Sequence, residues 1–125
     1  MSLKPAALLP LLLAALAAAP AWAQGVPAEG LRIMTTGNLG NCVACHALPG
    51  QKDLQSTFGP ALAGVGARYD AAQLRQWVTD ARKIKPGTLM PPFGTTQGTN
   101  EAVRAQPILG EDQIEHVVAA LQSLR

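Results

Sequence analysis

Apolar positions recur at helical spacing in two stretches of this chain and crowd together without a period in a third. Across residues 70–82, Leu74, Trp77, Val78 and Ala81 fall on one stripe of a 3.6-residue repeat. Asp70 stands ahead of that stripe as an N-cap, and Gln73 occupies the reciprocal position of a capping box. Across residues 110–125, Ile114, Val117, Val118, Leu121 and Leu124 form the apolar face. Glu111 and Asp112 sit in that segment's first turn, where the helix dipole favours negative charge. A looser stripe of Leu31, Met34 and Leu39 follows Pro27 and Glu29, both suited to a helix start. Gly37 and Gly40 limit its length, and they offer a place where the closing helix could cross closely. Three helices are predicted.

The segments between them read as loops. Residues 47–59 are polar and turn-rich, with a turn at Pro49-Gly50. Residues 84–94 cannot form a regular helix, because Pro86, Pro91 and Pro92 remove donors and restrict their neighbours. Residues 95–107 are rich in Thr, Gly, Asn and Gln and predict a surface excursion. Arg82, Lys83 and Lys85 close the middle helix, where its dipole favours cations; a docking patch for an acidic partner is the other reading.

The third apolar stretch, residues 6–19, is a Leu/Ala run behind Lys4, and Ala21-Trp22-Ala23 gives the small-x-small pattern of a cleaved export signal. It is shorter than the roughly 20 residues a spanning helix needs, and Pro10 interrupts it. Cleavage after Ala23 would leave one domain, residues 24–125. Its net charge would fall from +2 to +1 with the loss of Lys4, which suggests neither nucleic acid nor an acidic membrane as a partner. The remaining aromatics are Phe58, Tyr69, Trp77 and Phe93, few for a core this small. A large bound apolar group would make up the deficit.

Cys42-Val43-Ala44-Cys45-His46 supplies such a group. C-x-x-C-H is the pattern of covalent haem attachment. Thiols three positions apart lie about one helical turn from each other, so both can form thioethers to one haem c. His46 then offers its imidazole to the iron. A redox C-x-x-C and a zinc half-site are the competing readings. The zinc reading would need two more ligands, and the chain holds only these two cysteines and one other histidine, His116. With both thiols consumed, no disulfide and no thiolate nucleophile remains. Met90, on the proline-stiffened loop, is the expected second axial ligand opposite His46. Met34 is expected in the core and His116 on the surface, neither of them on the iron.

With that motif, Phe58-Gly59-Pro60, Met90-Pro91-Pro92-Phe93-Gly94 and the closing helix in order, the chain resembles the SoxX family. These are the small monohaem subunits of the SoxAX cytochrome complexes of thiosulfate oxidation. The likeness covers roughly residues 40–124, and it is the motifs in combination that select it, beginning with Gly-Asn ahead of Cys42. Residues 95–107 depart from it, being longer than the connection expected there.

The resemblance implies an all-α cytochrome c fold, with short helices wrapped around one haem. It implies that the Pro60 carbonyl receives the remaining ring N–H of His46, which orients the imidazole and raises its basicity. It also implies a periplasmic heterodimer with a SoxA-like cytochrome subunit. That complex, an L-cysteine S-thiosulfotransferase, joins thiosulfate to a cysteine on a SoxYZ-like carrier and passes the electrons to an acceptor cytochrome. Without spare sulfur, this chain is expected to move electrons and not to form the bond. A free-standing cytochrome c shuttle, or a haem sensor or enzyme with an open iron position, are the alternatives.

Overall fold

The computed structural model of the chain describes residues 24–100 and 104–125. The expected export signal and its cleavage point after Ala23 lie outside these residues. Four α-helices follow in order: α1 (Pro27–Thr35), α2 (Val65–Arg68), α3 (Ala71–Asp80) and α4 (Glu111–Ser123). Two 3-10 turns, Cys42–Ala44 and Ala81–Lys83, complete the regular structure, with no strand among the described residues. No described helix is long and apolar enough to cross a membrane.

Local chemistry explains the helix ends. Asp70 accepts the backbone N–H of Gln73 at 2.8 Å, and the Gln73 side chain accepts the N–H of Asp70 at 2.9 Å. Both members of the predicted capping box are therefore satisfied. α4 begins with the N–H of Gly110 donating to Gln113 Oε1 and with Glu111 and Asp112 in its first turn. α1 starts on Pro27 and is braced by Glu29, which receives Arg32 Nε at 3.0 Å. It stops after Thr35, whose hydroxyl, like that of Thr36, donates back to a carbonyl of the preceding turn.

The core lies where α4 crosses α1, with α3 and α2 against its other flanks. Ile33 and Met34 of α1 are completely buried, beside Val117, Val118, Ala120 and Leu121 of α4. Met34 is thus a core residue, as its stripe implied. The crossing is not at Gly37 or Gly40. A Cβ on Gly37 would meet nothing within 4 Å, whereas one on Gly30 would fall 2.0 Å from the backbone oxygen of His116 and 2.7 Å from Ala120 Cβ. Only a residue without a side chain lets the two backbones approach this closely. The seam therefore runs through the middle of α1, not through its C-terminal flank.

Three other side chains sit differently from the expectation. Trp77 is half-buried and makes an edge-on contact with Tyr69, ring centroids 6.4 Å apart at 65°. Its position falls at the margin of the α3 stripe held by Leu74 and Val78. His116 is half-buried, and its Nδ1 accepts the N–H of Val26 at 2.9 Å, tying the N-cap of α1 to α4. Arg82 does not sit on the last turn of α3. That helix ends at Asp80, and the Arg82 guanidinium turns back onto the Asp80 carboxylate. The same group donates to the carbonyls of Gln97 and Gly98, at 2.7 and 3.2 Å.

Candidate functional site

Cys42 opens its 3-10 turn from Asn41, which is held in the left-handed region at φ 46° and ψ 40°. Asparagine tolerates that conformation better than most residues, which gives the Asn before the first cysteine a backbone reason. The turn then tightens on one acceptor. The Cys42 carbonyl receives the N–H groups of Cys45 and His46, at 3.1 and 2.9 Å. The expected single helical turn is present as a short 3-10 turn closed by one i,i+4 bond. It brings Cys42, Cys45 and His46 into one loop of backbone, all three partly accessible.

The two thiols form no disulfide, and their environment bears on the competing readings. Burial pushes the Cys42 thiol up to about 11, with the neighbouring Cys45 adding to the effect. A redox C-x-x-C works through a cysteine whose thiolate is stabilised, the opposite displacement. No group of three or more His, Cys, Asp or Glu side chains able to hold a metal ion exists among the described residues. The raised Cys42 thiol is unlike the attacking cysteine of a redox C-x-x-C, and among the described residues no further ligands gather to make a zinc site.

His46 Nδ1 lies 2.6 Å from the carbonyl oxygen of Pro60. A carbonyl only accepts, so Nδ1 carries a proton, and in the neutral tautomer this selects, the lone pair lies on Nε2. Gly59 lets the ring lie there. A Cβ at that position would fall 2.6 Å from His46 Cε1 and 2.8 Å from Nδ1. The segment is laced to the motif by the N–H of Gly59 on the Cys45 carbonyl at 2.6 Å and that of Leu62 on Ala47 at 2.9 Å. Gly59-Pro60 is thus the backplate of the histidine.

Met90 lies half-buried against the apolar core, with its own N–H directed at Thr88 Oγ1 at 3.3 Å. Of the large apolar side chains left exposed, Leu54 and Phe58 belong to the segment after His46, and Ile84 and Leu89 to the Met90 loop. Phe58 is 68% and Leu89 77% exposed. Two thiols, an imidazole and a thioether are donors of the kind haem c takes, and the exposed apolar side chains flank the segments that carry His46 and Met90. The sequence did not mark Gly59 or Asn41 as parts of this site, although both belong to the motifs that carry the resemblance.

Comparison with known proteins agrees with this chemistry. The family profile described as Cytochrome c matches residues 27–125. Over 69 residues the chain is 42% identical to the "Thiosulfate dehydrogenase electron acceptor" of Stutzerimonas stutzeri (strain A1501), covering 54% of this chain and 31% of that protein. The chain therefore spans about a third of that relative's length. A chain of the crystal structure of SoxXA from P. pantotrophus superposes with a TM-score of 0.72 at 42% identity, covering 81% of this chain and 82% of that one. With its helical fold, its C-x-x-C-H turn and a match through almost all of its described length, the chain belongs to the cytochrome c family.

Proposed function

We propose that this chain is the monohaem electron-transfer subunit of a SoxAX-type thiosulfotransferase of the periplasm. Cys42 and Cys45 would hold the haem through thioethers, with His46 Nε2 and Met90 Sδ as the axial ligands. Haem c supplies a one-electron couple when bound, and a methionine ligand raises its potential. The chain's own contribution is positional. Pro60 fixes the tautomer and orientation of His46, and Gly59 leaves room for the ring. Core packing and the proline-stiffened loop carry Met90.

The observation that carries the site reading is the 2.6 Å contact between His46 and Pro60, which takes up Nδ1 and leaves Nε2 as the nitrogen that can face a metal. The Sox assignment is supported by the likeness to a SoxXA chain at 42% identity over four-fifths of both chains. A SoxA-like cytochrome is accordingly the proposed partner. A SoxYZ-like carrier and an acceptor cytochrome would be the transient ones. With both cysteines given to haem and His46 and Met90 given to its iron, the chain would offer neither a thiol nor an open iron position, so the sulfur–sulfur bond would form on the partner.

A second reading is favoured by the name of the other relative, an electron acceptor of thiosulfate dehydrogenase. In that reading the chain is a cytochrome shuttle with no obligate partner. Co-purification with a second haem subunit supports the SoxAX assignment, and an exclusively monomeric preparation supports the shuttle.

The ligand assignment is tested separately from the partner. Reduced wild-type protein should bind carbon monoxide slowly or not at all. Met90→Ala should bind it rapidly and show a lower reduction potential. Equal binding by both proteins would take Met90 off the iron.

A further inference from the structure

The loop that carries Met90 leaves α3 and returns to it. Its downstream arm is sewn to the end of the helix. The carbonyls of Val78 and Thr79, in the last turn of α3, accept the N–H groups of Phe93 and Gly94 at 3.3 and 3.0 Å. These are acceptors that a helix end leaves without intrahelical partners. A Cβ on Gly94 would fall 2.9 Å from Thr79 Cγ2 and 2.7 Å from Ile114 Cδ1, so the arm lies flush against both helices. Phe93 is buried, and its carbonyl receives the N–H of Leu109.

The upstream arm is held differently. After the Ala81–Lys83 turn, the backbone bonds run within the loop, from Ile84 and Lys85 to Ala81 and from Thr88 to Lys85. Leu89 points largely into solvent, and the N–H of Met90 reaches only as far as Thr88. Besides its core contacts and the anchored downstream arm, what holds Met90 on this side is the root of the upstream arm.

Arg82 is at that root. Its Nε and Nη2 donate to Asp80 Oδ1 and Oδ2 at 2.8 and 2.9 Å, and Asp80 is only 5% exposed. The remaining donor capacity of the guanidinium goes to Gln97 and Gly98, 15 and 16 residues further on. One planar cation thus joins the end of α3, the start of the loop and the chain beyond its exit. An exposed ion pair contributes little, but charge-assisted bonds shared between a buried carboxylate and two backbone carbonyls contribute more and fix geometry.

We propose that Arg82 closes the base of the Met90 loop and is a positioning residue for the Met90 sulfur. The inference rests on the reading of Met90 as an axial ligand. By restricting the arm, Arg82 keeps the thioether close to where it binds, so that ligation does not require the whole loop to be ordered each time. Lysine cannot replace it, because an ammonium is a point charge and cannot span the carboxylate and both carbonyls.

The test uses the haem-loaded wild type, Arg82→Gln and Arg82→Lys, with Arg32→Gln as a control at an exposed ion pair on α1. Imidazole binding to the ferric protein, in competition with Met90, is measured together with urea unfolding. Unfolding is followed by the weak far-red band of methionine-ligated ferric haem and by helix circular dichroism. Both Arg82 variants should bind imidazole about tenfold more tightly, as loss of a charged hydrogen-bond set implies, and Arg32→Gln should match wild type. In the Arg82 variants the far-red band should disappear at lower urea than the helix signal. Unchanged imidazole affinity in folded Arg82 variants would overturn the proposal. So would a band and helix signal that shift together, which would make Arg82 merely structural. A wild type without the far-red band would overturn the Met90 reading itself, and this inference with it.

Discussion

Because a carbonyl oxygen has no proton to give, the contact between Pro60 and His46 decides which imidazole nitrogen is free for a metal. The same contact depends on Gly59, where a side chain and the imidazole would compete for one volume. Gly59→Ala should displace the ring from Pro60 and weaken the iron–histidine bond. The measurement is the fraction of haem-loaded protein that is low-spin in its absorption spectrum, expected to fall well below wild type. At this scale the sequence was informative where chemistry lies in adjacent residues. Cys42, Cys45 and His46 announce themselves by spacing, and Pro60 was placed by the family likeness. The roles of Asn41 and Gly59 were not legible. One depends on a left-handed backbone angle and the other on a ring arriving from 13 positions away.

Helices and their junctions follow a similar division. The capping box of Asp70 and Gln73 could be read directly, since both partners lie within one turn. The α1–α4 crossing could not. Gly30, Gly37 and Gly40 all lie on or just beyond α1, and only the docking of α4 shows which one is used. Gly30→Ala should cost about 1–3 kcal/mol, because the new methyl meets backbone that cannot rotate away, and this outweighs alanine's better helix propensity. A lower urea midpoint with an unchanged slope would show it.

The join between α3 and α4 makes a pH prediction. Glu115 receives Arg75 Nη2 at 2.6 Å, and that hydrogen bond holds its carboxyl below the ordinary carboxylate value. A carboxyl with a lowered folded pKa stabilises the fold fully above its unfolded value of about 4 and loses that contribution as pH falls through the folded value. Wild type should therefore exceed Glu115→Gln in thermal midpoint at neutral pH, and the two should converge on acidification below about 4. A constant gap across that range would contradict the assignment. Asp80, lowered by its hydrogen bond to Arg82, should lose its contribution over the same acidic range. The Arg82 contacts were illegible for a plain reason: their acceptors at Gln97 and Gly98 are backbone carbonyls, which carry no side-chain signature.

The whole molecule has the order of a small cytochrome c. α1 and α4 cross at the core, the C-x-x-C-H turn follows α1, and the Met90 loop emerges from the end of α3. Three of the four α-helices were legible from apolar spacing and end residues, whereas α2, four residues long, is too short to show a period. Residues 95–107 contain no periodicity to read, and Arg82 ties Gln97 and Gly98 of their described part to the end of α3. At this scale function reduces to a division of labour. The chain has two cysteines, both in the haem motif, and the two axial donors would close the iron to substrate. It should carry electrons released elsewhere.

Anaerobic mixing with thiosulfate, followed by haem absorption, tests that division most directly. Alone, the haem-loaded ferric chain should stay oxidised. With its SoxA-like partner and the SoxYZ-like carrier present, it should become reduced as thiosulfate is consumed. Reduction of the isolated chain by thiosulfate would contradict the account.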